Sequence, residues 1–360
     1  MGNIVKSLRH IFLMVMLAWM GNAWAVTTTQ TTLDAWPSPS SVGHAVILTA
    51  TVTGSSPTGT VTFMDGTTTL GTDTLSSGTA AISFVFSNAG SHSLTANYAG
   101  DANNTASTST TVKQTVNKAA TATTMSTNPS PVTAGQVVTL IATVKGSSPH
   151  GTVTFIDGTT TLGSAPLLSG TATLDHTFYS AGQHTLTAAT YAGDMNNETS
   201  TSTALSLTVN PAITTTALTA TPNPSTAGQA VTLTASVAGV APTGTVTFMD
   251  GTTLLGTGTL SSGAATFSHT FNTAGSHSLT ASYAGDANNT ASTSAAMAQM
   301  VNPAITTTAL TATPNPSTAG QAVTLTASVA GVAPTGTVTF MDGTTMLGTG
   351  TLSSGDATFI

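Results

Sequence analysis

Along residues 230–237 apolar and polar side chains alternate without a break. Val231, Leu233, Ala235 and Val237 fall on one face, and Thr232, Thr234 and Ser236 on the other. A period of two is that of a half-buried strand, because successive side chains of extended backbone point to opposite sides. The same period runs through Val246 and Phe248, through Ala265, Phe267, His269 and Phe271, and through His277, Leu279, Ala281 and Tyr283. An opening strand is predicted over 214–221, a weaker glycine-broken one over 254–260, and a closing one ending at 297–301. Pro242-Thr243-Gly244, Ser261-Ser262-Gly263, Thr273-Ala274-Gly275 and the stretch 285–289 punctuate these runs. Asp250-Gly251 predicts a type I′ hairpin turn, which needs positive φ at both central positions. No stretch carries a helical period. About seven short strands with such punctuation predict an all-β fold, a two-sheet antiparallel sandwich.

The pattern is periodic on a larger scale. Phe63-Met64-Asp65-Gly66 returns at Phe155, Phe248 and Phe340, that is, 92, 93 and 92 residues apart. Tyr98-Ala99-Gly100-Asp101 returns in step at Tyr191 and Tyr283. A fixed period of this length is one small domain copied in tandem. The copies are expected at 26–117, 118–210 and 211–302, with an incomplete fourth at 303–360. The joints Val116-Asn-Lys-Ala119, Val209-Asn-Pro-Ala212 and Val301-Asn-Pro-Ala304 are short, and two contain proline. Such joints predict sandwiches stacked end to end as a rod, each spanning roughly 30–40 Å.

Two copies depart from the pattern. The second reads Leu186-Thr-Ala-Ala-Thr-Tyr191, one residue longer than Leu94-Thr-Ala-Asn-Tyr98. An extra residue inverts every later side chain unless a bulge absorbs it, so a bulge near Ala189-Thr190 is predicted, keeping Tyr191 inward. Ile213–Ser268 and Ile305–Ile360 align without a gap and differ only at Leu254/Met346, Ala264/Asp356 and Ser268/Ile360. The fourth copy has no counterparts of 277–283 or of the closing strand, so the chain reads as a fragment of a longer protein.

Taken in order, Gly-x-x-Val-Thr-Leu-Thr-Ala, Gly-Thr-Val-Thr-Phe-x-Asp-Gly, Leu-Gly, Ser-Gly and His-x-Leu-Thr-Ala-x-Tyr-x-Gly-Asp resemble the bacterial immunoglobulin-like repeats. The resemblance covers Val26 to Ile360. It implies tandem immunoglobulin-like sandwiches in a secreted or cell-surface protein, and no common ligand or catalytic residue. The paired cysteines and core tryptophan of antibody domains are missing.

Residues 1–25 are of another kind. Lys6, Arg9 and His10 precede an apolar run from Ile11 to Met20 and a small-x-small end, Ala23-Trp24-Ala25. This order is that of a secretory signal peptide cut before Val26, the apolar run being too short to span a bilayer. Beyond it only Lys113, Lys118 and Lys145 are basic, histidines aside, against twelve acidic residues. That balance excludes a phosphate-neutralising surface, and with it nucleic acid and anionic lipid as partners. The chain has no cysteine. Each copy must therefore be held by its apolar core alone, and thiolate metal sites and cysteine catalysis are excluded.

Candidate chemistry reduces to a few constellations. Ser, His and Asp occur in every complete copy, but His176 and His269 align with Phe84, which no general base could do. His92, His184 and His277 do recur and are expected near a sheet end with a satisfied ring nitrogen. No Gly-x-Ser-x-Gly elbow presents a nucleophile. Asp101, Asp194 and Asp286, each followed by two asparagines, offer the oxygen ligands calcium uses, but they are too sparse for its six to eight and suit turns equally well. Asp65 and its counterparts are assigned to the hairpin turns. Gly256-Thr257-Gly258 lacks the lysine and helix of a phosphate loop. Trp36, the only tryptophan after residue 25, reads as a local packing residue. No catalytic, cofactor or metal residue is expected. The chain reads as a non-enzymatic exported spacer array, in a cell-surface stalk or an adhesin, with a cell-surface protein or glycan as partner. The alternative is spacer or carbohydrate-binding modules of a larger secreted polysaccharide-degrading enzyme.

Overall fold

The computed structural model of the protein describes residues 26–360, and the signal peptide expected at 1–25 lies outside the described residues. The described residues contain strands and turns and no helix. They fall into two compact units that divide within the second copy: residues up to Thr127 with Thr139–Leu174 and Thr185–Leu205, and Asn128–Val138 with Asp175–His184 and Ser206–Ile360.

In the first unit the first copy folds as β1 (Gln30–Trp36), β2 (Ser40–Ser41), β3 (Ala45–Thr53), β4 (Thr60–Asp65), β5 (Thr68–Thr74), β6 (Thr79–Val85), β7 (Gly90–Tyr98), β8 (Ser107–Thr108) and β9 (Val112–Asn117). Seven of these are the predicted strands, and β2 and β8 are two-residue additions. One sheet has the order β1-β3-β6; the other runs β2-β9-β7-β4-β5, with β8 beside β7. Pairing is antiparallel except for β2, which runs parallel to β9 through Ser40↔Val116 and Ser41↔Asn117. The alternation seen in the sequence is the burial pattern. Val46, Leu48, Ala50 and Val52 of β3 face Val61 and Phe63 of β4 and Leu94, Ala96 and Tyr98 of β7 in one cluster. Burying each of the larger side chains is worth about 1.5–3 kcal/mol. The same strand orders recur in the second and third copies.

The hairpin turn differs from the type I′ expectation. Asp65 pairs with Thr68, which leaves Gly66 and Thr67 as the central residues. Only Gly66 has positive φ, at 56°. This is the type II′ arrangement, with glycine at the first central position and an ordinary φ for the β-branched threonine. The second-copy bulge is also displaced from its expected place. Val153 pairs with Tyr191 and Phe155 with Ala189, but Asp157 pairs with Leu186, so the extra residue lies between Leu186 and Ala189. Absorbed there, it leaves Tyr191 fully buried.

In the second unit the third copy buries Val231, Leu233, Ala235 and Val237 against Val246, Phe248, Leu279, Ala281 and Tyr283. The fourth copy forms Thr307–Thr313, Thr324–Ala330 and Asp356–Phe359 as one sheet and Thr337–Asp342 with Thr345–Thr351 as the other. Its buried cluster is Ala327, Phe340 and Ala357 alone. Leu325 and Val338, equivalent to the fully buried Leu233 and Val246, are only partly buried. Local sequence makes the strands, and the opposing strands make the core.

A polar pair interrupts the core in two copies. Gln114 and Gln299 are fully buried, and each donates from Nε2 to a serine Oγ and a proline carbonyl: Ser40 and Pro37 at 3.0 Å, Ser225 and Pro222 at 3.1 Å. Their Oε1 atoms have no partner. The second copy places Val132 and Leu207 at these positions, both buried. Gln299→Leu alone strands the Ser225 hydroxyl and should destabilise the third copy by about 1–3 kcal/mol. Adding Ser225→Val recreates the second copy's pairing and should recover most of that loss. Amide exchange on third-copy strands with and without each substitution checks both, and additive costs would contradict the coupling.

Candidate functional site

The loop after each Tyr-Ala-Gly-Asp carries a recurring cluster of polar side chains. Gly100 makes the turn possible: its φ is 85°, and a Cβ would lie 2.9 Å from the Asn104 carbonyl oxygen. Asp101 then turns back over its own loop. Its Oδ1 accepts from the Asn103 amide at 2.8 Å and from Asn104 Nδ2 at 2.9 Å. Its Oδ2 accepts from the amide and hydroxyl of Thr58 in the Pro57-Thr58-Gly59 turn, at 2.8 and 2.9 Å. Asp286 does the same with Asn288, Asn289 and Thr243. Asp194 accepts from the amides of Asn196, Asn197 and His150.

These donors stabilise the ionised form, so all three carboxyls are held well below the usual carboxylate range. At Asp101 the Thr58 and Asn103 amides do most of this. At Asp194 and Asp286 burial opposes the shift and the donors outweigh it. The tyrosine beneath is pushed the other way. Burial first, and then the adjacent Asp286, pushes the Tyr283 phenol up to about 12. Tyr191 donates to Asp194 Oδ2 at 2.8 Å and to the His150 carbonyl at 3.1 Å, whereas the buried hydroxyls of Tyr98 and Tyr283 lack an aligned partner.

The two asparagines have separate tasks. The second of each pair is buried and brackets the chain just after β3 or its counterpart. Oδ1 of Asn104, Asn197 and Asn289 accepts from the amides of Ser55, Ser147 and Val240, each at 2.8 Å. In the second and third copies the first reaches the preceding copy. In the first unit Asn196 Oδ1 accepts from the Ala89 amide at 2.9 Å, and in the second unit Asn288 Oδ1 accepts from the Ala181 amide at 2.8 Å. The Asn196 and Asn288 carbonyls also accept from the joint residues Ala119 and Ala212, each at 2.7 Å. Lys118 Nζ donates to the Asp194 carbonyl. A calcium ion here would have to displace donors already seated on the carboxylates. The loop's chemistry is that of a bracket.

The other recurring polar group is the histidine at the hairpin end. Asp65 and Asp250 serve it rather than the hairpin turn to which they were assigned. Oδ2 of each lies 2.6 Å from Nδ1 of His92 or His277, and Oδ1 accepts from the Ser93 or Ser278 amide at 3.0 Å. Nε2 faces the carbonyl of Asn88 at 3.2 Å or of Thr273 at 3.1 Å. The rings lean on Phe86 and Phe271, with centroids 4.4 and 4.5 Å apart. In a hydrolytic triad Nε2 must accept a proton from a nucleophile. Here a carbonyl oxygen occupies that position. In the second copy His184 Nε2 is 3.0 Å from the Ser180 carbonyl, and the Ser180 hydroxyl is only marginally in reach at 3.5 Å. His176 and His269 pack edge-on against Phe178 and Phe271. Among the described residues no group of three or more His, Cys, Asp or Glu could hold a metal ion.

Sequence reasoning placed the histidines near satisfied partners but missed which aspartates serve them. Asp65 and His92 recur in step as Asp250 and His277, which was the available signal. It also read the paired asparagines as turn formers and missed that the first one joins two copies. Trp36 is a correction. Expected to pack locally, it is 69% exposed. Its strand alternates in step with β3, and position 36 falls on the outward face.

The profile of the bacterial Ig-like domain (group 3) matches residues 33–117, 125–210, 218–302 and 310–360. No curated protein matches in sequence. Among solved structures the chain is similar to the fibronectin(III)-like modules of Clostridium thermocellum CbhA, at 19% identity over 50% of this chain and 94% of that one, with a TM-score of 0.23. It is also similar to the Escherichia coli adhesin FdeC, at 14% identity over 77% and 97% with a TM-score of 0.25. A third similarity is to the ectodomain of mouse nectin-like molecule 4, at 12% over 74% and 97% with a TM-score of 0.28.

The His277 pair has a pH signature. Burial lowers the His277 pKa, but Asp250 and the Thr273 carbonyl outweigh it and raise it above the ordinary 6.5. A raised folded value means the pair's contribution is fully present below about pH 6.5 and fades as pH rises through the folded value. His277→Gln should therefore weaken third-copy amide protection more at pH 5.5 than at pH 9. An equal loss at both would show that the ring acts by packing alone.

Proposed function

The chain belongs to the bacterial Ig-like domain (group 3) family, and from that membership we propose that it works outside the cell as a non-catalytic array of structural repeats, in a surface stalk or as part of an adhesin. The observation that carries this reading is the bracket between successive copies. The Asn196–Ala89 and Asn288–Ala181 bonds are the same bond made twice, from the same loop to the same turn. A chain that repeats both its domain and its joint gains length without a new site.

Three further features support the reading. The recurring carboxylates and histidines are bonded to backbone amides and carbonyls, which leaves them little to offer a substrate. Outward strand positions are mainly threonine and serine, which stay solvated with little charge. The third and fourth copies share all but three of 56 aligned positions across Ile213–Ser268 and Ile305–Ile360, and copying at that level alters length more readily than chemistry. Export follows from residues 1–25 read as a leader, and the absence of cysteine leaves the folded copies insensitive to the redox state of their surroundings.

Protease treatment of intact cells expressing the full protein tests this directly. The reading expects the chain to be cleaved from outside while a cytoplasmic marker survives, and the exported form to begin at Val26. A protein that stays protected in intact cells and retains Met1 would contradict it.

A further inference from the structure

The outward face of the β1-β3-β6 sheet differs in the first copy from every other. Trp36, 69% exposed, sits directly across from Ile47, 48% exposed, and Val85, 50% exposed, lies on the same face of β6. The third copy has Thr221, Thr232 and Thr270 at these places, with Thr221 paired to Thr232 as Trp36 is to Ile47. The second has Asn128, Thr139 and Thr177, and the fourth pairs Thr313 with Thr324. The sheet therefore does not need an apolar side chain at any of these positions. Threonine supplies the strand preference and stays solvated. The second copy also exposes a valine on this face, Val137, but the exposed tryptophan beside an isoleucine is found in the first copy alone, and such a pair points to a ligand.

The surrounding chemistry narrows what that ligand is. Asp34 lies two residues before Trp36 on the same face, exposed and opposite Thr49, and Ser83 lies opposite Ile47. The face thus offers one flat aromatic plate, one carboxylate and a fringe of hydroxyls. No lysine or arginine occurs in β1, β3 or β6, so phosphate and sulfate groups find no counter-charge. Three apolar side chains among threonines and serines do not make the aromatic-rich apolar centre of a stable protein interface. A sugar ring fits both demands. Its C–H face is apolar and faintly positive, which suits the electron-rich face of an indole, and its hydroxyls can donate to a carboxylate at the rim.

We propose that Trp36, Ile47 and Asp34, on the outward face of β1 and β3, form a binding face for a neutral saccharide unit of a glycan chain. The proposal rests on the surface-display reading only for where the glycan is met, since binding by purified protein does not depend on location. It gives the first copy a task that its siblings lack, and it leaves the bracketed loops as joints.

Residues 26–360 contain Trp36 as their only tryptophan, so its fluorescence reports on this face alone. Purified protein would be titrated with neutral hexasaccharides of glucose, xylose, mannose and N-acetylglucosamine, and co-sedimented with the matching insoluble polysaccharides. The expected result is a saturable emission shift with at least one of them and co-sedimentation with its polymer. Trp36→Asn and Ile47→Thr, which install the second copy's residues, should each reduce binding at least tenfold, read by co-sedimentation, with unchanged thermal unfolding. Asp34→Ser should weaken binding while keeping the emission shift. No response to any saccharide would overturn the proposal, as would co-sedimentation that survives Trp36→Asn. So would a protein-concentration-dependent shift without sugar, accompanied by Trp36-dependent dimers in sedimentation, because the face would then be covered by a second copy.

Discussion

Each copy of this chain depends on one sheet covering the other. A strand of alternating Val, Leu and Thr is only half satisfied by its hydrogen-bonded neighbours; its apolar face needs a second sheet about 10 Å away. No disulfide closes the sandwich, so this coverage carries the stability. The third and fourth copies isolate the effect. Their sequences agree across almost all of Ile213–Ser268 and Ile305–Ile360, and both form the same hairpins and three-stranded sheets. Yet Leu233 is fully buried in one and Leu325 only partly in the other, where no strands equivalent to 275–283 and 297–302 lie opposite.

The polar elements follow from the same constraint. Closing a sandwich leaves loop amides at its ends, and a buried amide without a partner costs about as much as a lost hydrogen bond. The Asp101, Asp194 and Asp286 loops supply acceptors for those amides, and the buried asparagines bracket the neighbouring strand ends. In the second and third copies the first asparagine of the pair extends that accounting across the joint to an amide of the preceding copy. A residue pattern that resembles a cation site thus also meets the demands of backbone geometry. The histidines do the equivalent at the hairpin end, with Asp65 or Asp250 on one ring nitrogen and a carbonyl on the other.

Much of the fold was legible because periodicity alone fixes which side chains meet. Val231, Leu233, Ala235 and Val237, or Leu279, Ala281 and Tyr283, could hardly be divided between faces in any other way. The two-residue strands β2 and β8 were not legible, since two residues carry no period. The turn type was misjudged because it hinges on which residue falls at the first central position, and that depends on how far Asp65 and Thr68 extend the ladder. The bulge in the second copy was foreseen from chain length, but its position depends on register against Asp157. Trp36 was read as a local packing residue because it has no counterpart in the other copies; its strand phase, with Ala35 paired to Leu48 and Trp36 to Ile47, places it outward. The joints were the least legible part, since a contact between Ala89 and Asn196 has no local signature.

The central claim is that core protection in this chain is set by coverage from the opposing sheet. Amide hydrogen exchange on residues 26–360, resolved to Thr232–Val237 and to Thr324–Val329, tests it most directly, because the two segments have matching sequences. The account predicts that the third-copy amides exchange at least a hundredfold more slowly than their fourth-copy equivalents. Equal protection in the two segments would contradict it, since local strand sequence and hairpin pairing would then be enough to hold the core.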